Sequence, residues 1–76
     1  MRLHLGGYLP FFASTRQEKI EVPLKEPARL SEVLSQLGIP VSEVCLTVLN
    51  GKLVTLDETL VSDSDEVRLY PPIDGG

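Results

Sequence analysis

A single cysteine, no tryptophan and a shortage of basic side chains limit what this chain can be before any motif is read. With only Cys45, no internal disulfide can form, and the thiol lacks the companions of a zinc or iron–sulfur site. Its apolar neighbours Val44 and Leu46 place it in a strand, where it reads as a small buried or half-buried residue. The lone histidine, His4, has no second imidazole to share a metal and reads as solvent-facing. No metal or resident cofactor is expected. Seven Lys and Arg stand against eleven Asp and Glu, a net charge of −4. That argues against nucleic acid as a partner, because binding its backbone needs clustered cations. No hydrophobic run is long enough to span a membrane, and residues 1–7 lack the apolar stretch of a signal peptide. A cytoplasmic protein with no membrane partner is expected.

What is present describes one small domain of 76 residues. A chain of that size buries only about 60% of the surface its unfolded form exposes. Leu3 and Leu5 alternate with Arg2 and His4, the pattern of a half-buried strand. Gly6, Gly7 and Pro10 then break the alternation at a bend that carries Tyr8, Phe11 and Phe12. At least one of the two phenylalanines is expected to cap the core; the alternative is exposure for a partner. Ile20, Val22 and Leu24 share one face of a second strand, which Pro23 confines to a sheet edge. Leu30, Val33, Leu34 and Leu37 form one stripe of an amphipathic helix, with Pro27 in its first turn. Gly38 is placed to take a left-handed C-terminal position, with Ile39 packing back and Pro40 preventing continuation. A β-prone run over residues 44–49 meets Asn50 and Gly51, the preferred pair of a type I′ hairpin turn, and residues 52–56 return. Residues 57–61 read as a turn, with Leu56 and Leu60 pointing inward. Residues 66–70 form the last strand, with Val67 and Leu69 on one face and Arg68 and Tyr70 on the other. Five acidic residues, Asp57, Glu58, Asp63, Asp65 and Glu66, lie close to that strand. They read as a solvated face or as a charge that steers the chain to a basic partner.

The expected fold is α+β: a mixed sheet of four to five strands with one main helix on one face. The domain is expected to span residues 1–70, with residues 71–76 as a flexible tail. Pro71 and Pro72 end strand pairing and give the tail a stiff, polyproline-like root. Gly75 and Gly76 leave its carboxylate slender, with no Cβ to obstruct a narrow channel.

The order of elements resembles the ubiquitin-like β-grasp fold, whose first and last strands run parallel at the sheet centre. The stretch from Asn50 and Gly51 through Asp57, Leu60, Asp65, Glu66 and Val67 to Pro71, Pro72, Gly75 and Gly76 is similar to the sulfur-carrier family. That family includes the small subunit of molybdopterin synthase and the sulfur carrier of thiamine biosynthesis. Three departures stand out. Asp63-Ser64-Asp65 replaces the family's usual Asp-Gly-Asp, Asp74 puts a charge beside the reactive end, and the apolar loop over residues 8–12 is atypical.

The resemblance implies a partner adenylyltransferase of the ubiquitin-activating type, using MgATP, that converts the Gly76 carboxylate to an acyl adenylate. A sulfur donor, a protein persulfide, then leaves Gly76 as a thiocarboxylate. A synthase large subunit or another acceptor enzyme receives the sulfur. Pro71 and Pro72 incline the pathway to the molybdopterin-type cofactor, of molybdenum or tungsten, with thiamine thiazole synthesis as the alternative. A protein modifier attached through Gly76 and a plain binding module whose tail is never activated are the other readings. Gly76 is the reacting residue; Pro71, Pro72, Asp74 and Gly75 are the threading residues. Arg68 and Tyr70, then Phe11 and Phe12, are the candidate docking residues. Nothing pairs a nucleophile with a base, so the chain is expected to carry a group rather than catalyse a reaction.

Overall fold

A computed structural model describes residues 1–72. Its main layer is a five-stranded mixed sheet formed by β1 (Arg2–Leu5), β2 (Lys19–Glu21), β4 (Leu46–Leu49), β5 (Lys52–Val54) and β7 (Glu66–Tyr70). The spatial order is β2-β1-β7-β4-β5, with β1 and β7 parallel at the centre and the other pairs antiparallel. The helix α1 (Leu30–Gln36) packs on one face, which gives the expected ubiquitin-like α+β architecture. β2 lies at the edge and ends at Glu21, before Pro23.

Alternation along the strands sorts the sheet into two faces. Leu3, Leu5, Ile20, Val67 and Leu69 point inward and meet Leu30, Val33, Leu34 and Ile39 from the helix side. The helix has only seven residues and no side-chain N-cap, so its stability comes from this packing rather than from propensity. Its C-terminus closes as a Schellman motif. Gly38, at φ +84°, donates its N–H to Ser35 O (3.1 Å), and Ile39 donates to Leu34 O (2.9 Å).

The helix starts later than its sequence pattern indicated. Pro27 lies outside it, because β3 (Ala28–Arg29) pairs antiparallel with β6 (Leu60–Val61) in a separate two-stranded ribbon. The Leu30 N–H donates to Thr59 O at 3.0 Å where the chain leaves that ribbon. Ribbon pairing also corrects Leu60: Val61 takes the inward position and is fully buried, whereas Leu60 is 62% exposed.

The hairpin turn is of type I′, with Asn50 at φ 49° and Gly51 at φ 85°. Asn50 also ties this turn to the start of β7. Its Nδ2 donates to Asp65 Oδ1 (2.9 Å), its Oδ1 accepts the Glu66 N–H (2.9 Å), and its own N–H donates to Glu66 O (2.8 Å). Asp65 Oδ2 accepts the Ser62 N–H at 2.7 Å. Ser64 lies between these partners without positive φ, so this turn does not require the family's glycine there.

Candidate functional site

β7 delivers the chain from the sheet centre to Tyr70, and Pro71 and Pro72 follow without a strand partner. The two prolines lack N–H donors, which ends the ladder at this point. The last ladder carbonyls are still satisfied: Leu69 O accepts the Gly6 N–H and Tyr70 O accepts the Cys45 N–H, each at 2.8 Å. Tail residues Asp74, Gly75 and Gly76, with Ile73, lie outside the described residues.

The sheet face opposite the helix is open beside this exit. Strand register aligns Lys19, His4, Arg68, Val48 and Leu53 in one row across all five strands. The row runs from basic side chains at the β2 edge to apolar ones at the β5 edge. Leu46 pairs with Tyr70 in the adjacent position, nearest the tail. Leu53 is 68% exposed, and Leu46, Tyr70 and Arg68 are exposed as well. A shallow groove of about 440 Å³ continues this surface between Val41, Val44 and Cys45 on one side and Leu53, Val54 and Leu56 on the other. Arg68 and Tyr70 therefore stand where the sequence indicated. Leu46, Val48 and Leu53 join them, and the sequence did not single these out. Almost every residue from 44 to 49 is apolar, so inward and outward phases were not distinguishable before the register was known.

The polar end of the face is internally paired. Glu66 Oε2 meets His4 Nε2 at 3.3 Å, and Glu66 Oε1 lies 3.7 Å from Arg68. His4 is thus half-buried against a carboxylate rather than simply solvent-facing. Asp63 and Asp65, two members of the acidic run, are engaged in the fold. The Leu24 N–H (2.9 Å), and then the Met1 ammonium (3.6 Å), hold Asp63 below the usual carboxylate range. Hydrogen bonds from Asn50 and then the Ser62 N–H do the same for Asp65.

Two residue assignments are corrected. Neither Phe11 nor Phe12 caps the core: Phe11 is 73% exposed, and Phe12 lies outward in an edge-to-face contact with Tyr8 at 6.0 Å. Leu9 and Ala13 fill the core instead. The loop backbone docks on the helix C-terminus, with Ser14 N–H donating to Leu37 O (3.1 Å), and a Cβ on Gly38 would lie 3.1 Å from Phe12 O. Cys45 is exposed rather than buried, because it precedes β4 and the buried position falls to Thr47. Among the described residues, no helix is long and apolar enough to cross a membrane, and no cluster of three or more His, Cys, Asp or Glu is arranged to hold a metal.

A β-grasp domain with an open outer face, whose central strand ends at Pro71 and Pro72, has the ubiquitin-like architecture. The chain belongs to the ThiS family, whose model matches residues 9–76, and members of that family are small sulfur carriers. It is similar to the NMR solution structure of a thiamine biosynthesis protein from Geobacter metallireducens. The two share 26% identity and superpose with a TM-score of 0.55 over 100% of this chain and 88% of that one. A comparison with curated proteins gave no match.

Proposed function

We propose that the chain carries sulfur as a thiocarboxylate on Gly76. The observation that carries this reading is the family match extending through residue 76, on a domain whose central strand runs directly into the tail. A ubiquitin-activating-type adenylyltransferase docks on the outer face through Arg68, Tyr70, Leu46 and Leu53, with Phe11 and Phe12 as a second contact. The Gly76 carboxylate oxygen attacks the α-phosphorus of MgATP and pyrophosphate leaves. The terminal sulfur of a protein persulfide displaces AMP from the acyl adenylate. A thiol then cleaves the acyl disulfide, leaving the thiocarboxylate.

The tail's dimensions suit that task. Residues 71–76 reach at most about 20 Å when extended. A stiff root lowers the entropy lost on insertion, and glycines admit the carboxylate to a narrow site. Asp74 calls for an activating enzyme that accepts a negative charge two residues from the reacting group. No nucleophile–base pair is needed on this chain, because the chemistry belongs to its partners.

The sulfur goes to the dithiolene of a pterin cofactor, with the paired prolines at the tail root supporting that branch. A second reading, sulfur delivery for the thiamine thiazole, is favoured by the likeness to the Geobacter metallireducens structure. Offering the thiocarboxylate form separately to a pterin-synthase large subunit with its pterin precursor, and to a thiazole synthase with its substrates, tests the two. Formation of the dithiolene alone supports the first reading, and thiazole alone overturns it in favour of the second. Product in neither reaction refutes both acceptors.

A further inference from the structure

Gly6 and Gly7 lie directly under the root of the tail. Gly6 continues the β1–β7 ladder through its N–H to Leu69 O. A Cβ on Gly6 would stand 2.8 Å from Tyr70 Cδ1 and 3.2 Å from Leu69 O. A Cβ on Gly7, which has φ +53°, would stand 2.7 Å from Pro71 Cγ and 3.2 Å from Pro71 Cδ. Separations below 3.0 Å essentially never occur for real Cβ atoms, and among the described residues only these two glycines meet a neighbour so closely. At Gly51 nothing lies within 4 Å, so glycine there answers only to the turn's backbone angles.

The atoms that press on Gly6 and Gly7 belong mainly to the last strand residue and the first tail residue, not to the core. Tyr70 is exposed and Pro71 half-buried. Gly6 does not have positive φ, so its backbone conformation does not require glycine. What requires it is the Tyr70 ring lying across it. A proline ring fixes its own φ, so a ring seated on Gly7 also fixes the direction in which the chain passes to Pro72.

We propose that Gly6 and Gly7 are positioning residues for the carboxylate-charging reaction: a side-chain-free seat that sets the departure angle of the tail. The proposal rests on the reading of Gly76 as the activated group. Side chains added to this seat tilt Tyr70 and Pro71, so the docked protein offers its carboxylate off line. Docking through the rest of the outer face is retained. A misplacement of about 1 Å at a reacting centre costs on the order of 100-fold. A tilt at the root of the tail is a smaller error than that, and about a tenfold loss is expected.

The test is ATP–pyrophosphate exchange catalysed by the cognate activating enzyme with wild type, Gly6→Ala, Gly7→Ala, Pro71→Ala and Gly7→Ala/Pro71→Ala. Both glycine variants are expected to lower kcat about tenfold, Gly7→Ala with KM within about twofold and Gly6→Ala with an added rise in KM because it also tilts the docking residue Tyr70, while thermal unfolding shows the protein still folded at the assay temperature. Pro71→Ala removes the ring atoms that a Gly7 Cβ meets, so the double variant is expected to lose less than the product of the two single effects. Wild-type kcat in both glycine variants overturns the proposal. So does a loss confined to KM, or one that tracks the unfolded fraction. In the free protein, NOEs from the Gly6 Hα atoms to the Tyr70 ring and from the Gly7 Hα atoms to the Pro71 ring are expected; their absence removes the seat whatever the charging assay shows. No exchange with wild type, although the NOEs are present, refutes the reading of Gly76 itself and the positioning role with it.

Discussion

Replacing Leu53 with serine separates the outer face as a docking surface from the outer face as ordinary exterior. Leu53 sits on the edge strand β5 at the apolar end of the cross-sheet row and is 68% exposed. Because it contributes little to the core, Leu53→Ser should change folding stability by no more than about 0.5 kcal/mol. Burying a leucine completely is worth about 1.5–3 kcal/mol. About two thirds of that remains to be gained when a partner covers this side chain, so the substitution removes about 1–2 kcal/mol of binding. That corresponds to a Kd about 5- to 30-fold weaker for the activating enzyme. Leu60→Ser is the matched control. Leu60 is 62% exposed but lies on β6, in the separate two-stranded ribbon, so its loss should leave Kd within about twofold of wild type. Isothermal titration calorimetry reads the affinities and urea unfolding reads the stabilities. Equal affinities for wild type and Leu53→Ser, or equal losses from the two substitutions, would refute the assignment of this face.

Three further outcomes follow from the same geometry. Asn50→Gly keeps the turn's backbone angles but loses two exposed side-chain hydrogen bonds, at a cost of about 1–2 kcal/mol. Asn50→Ala loses the same bonds and keeps a Cβ in the left-handed region without the local side-chain hydrogen bonding that lets asparagine tolerate it, so it should cost about 1 kcal/mol more than Asn50→Gly, as measured by urea unfolding. Asp63 and Asp65 have carboxyl pKa values depressed in the fold, so their contribution is complete above the unfolded value near about 3.9 and disappears as pH falls through the folded values. The urea midpoint should therefore fall below about pH 4, and Asp65→Asn should flatten that decline. Gly76→Ala leaves the folded domain unchanged but puts a methyl group beside the reacting carboxylate, and should lower pyrophosphate exchange by about 100-fold.

Much of the fold was legible where local chemistry and long-range packing agree. Leu30, Val33 and Leu34 face the core, Gly38 closes the helix, and Asn50 with Gly51 makes the turn their backbone preferences dictate. The β3–β6 ribbon was not legible, because a two-residue strand carries no periodicity and Ala28 and Arg29 suit a helix start equally well. Nor was the exposure of Phe11 and Phe12. Hydrophobicity alone placed one of them inside, whereas this loop fills the core with Leu9 and Ala13. For the candidate site, strand alternation placed Arg68 and Tyr70 correctly, but Leu46, Val48 and Leu53 became visible only through cross-strand register. Gly6 and Gly7 read as a bend. Their contact with Tyr70 and Pro71 joins positions more than sixty residues apart, which no local pattern encodes.

The central claim is that Gly76 receives sulfur, and intact-mass spectrometry tests it most directly. The protein is incubated with its cognate activating enzyme, MgATP, a persulfide donor and a thiol reductant, and fragmentation then locates any change. The account predicts one oxygen replaced by sulfur in the C-terminal residue, dependent on ATP and absent when Gly76 is deleted. An unchanged mass, under conditions where the same enzyme and donor charge another carrier, would contradict it.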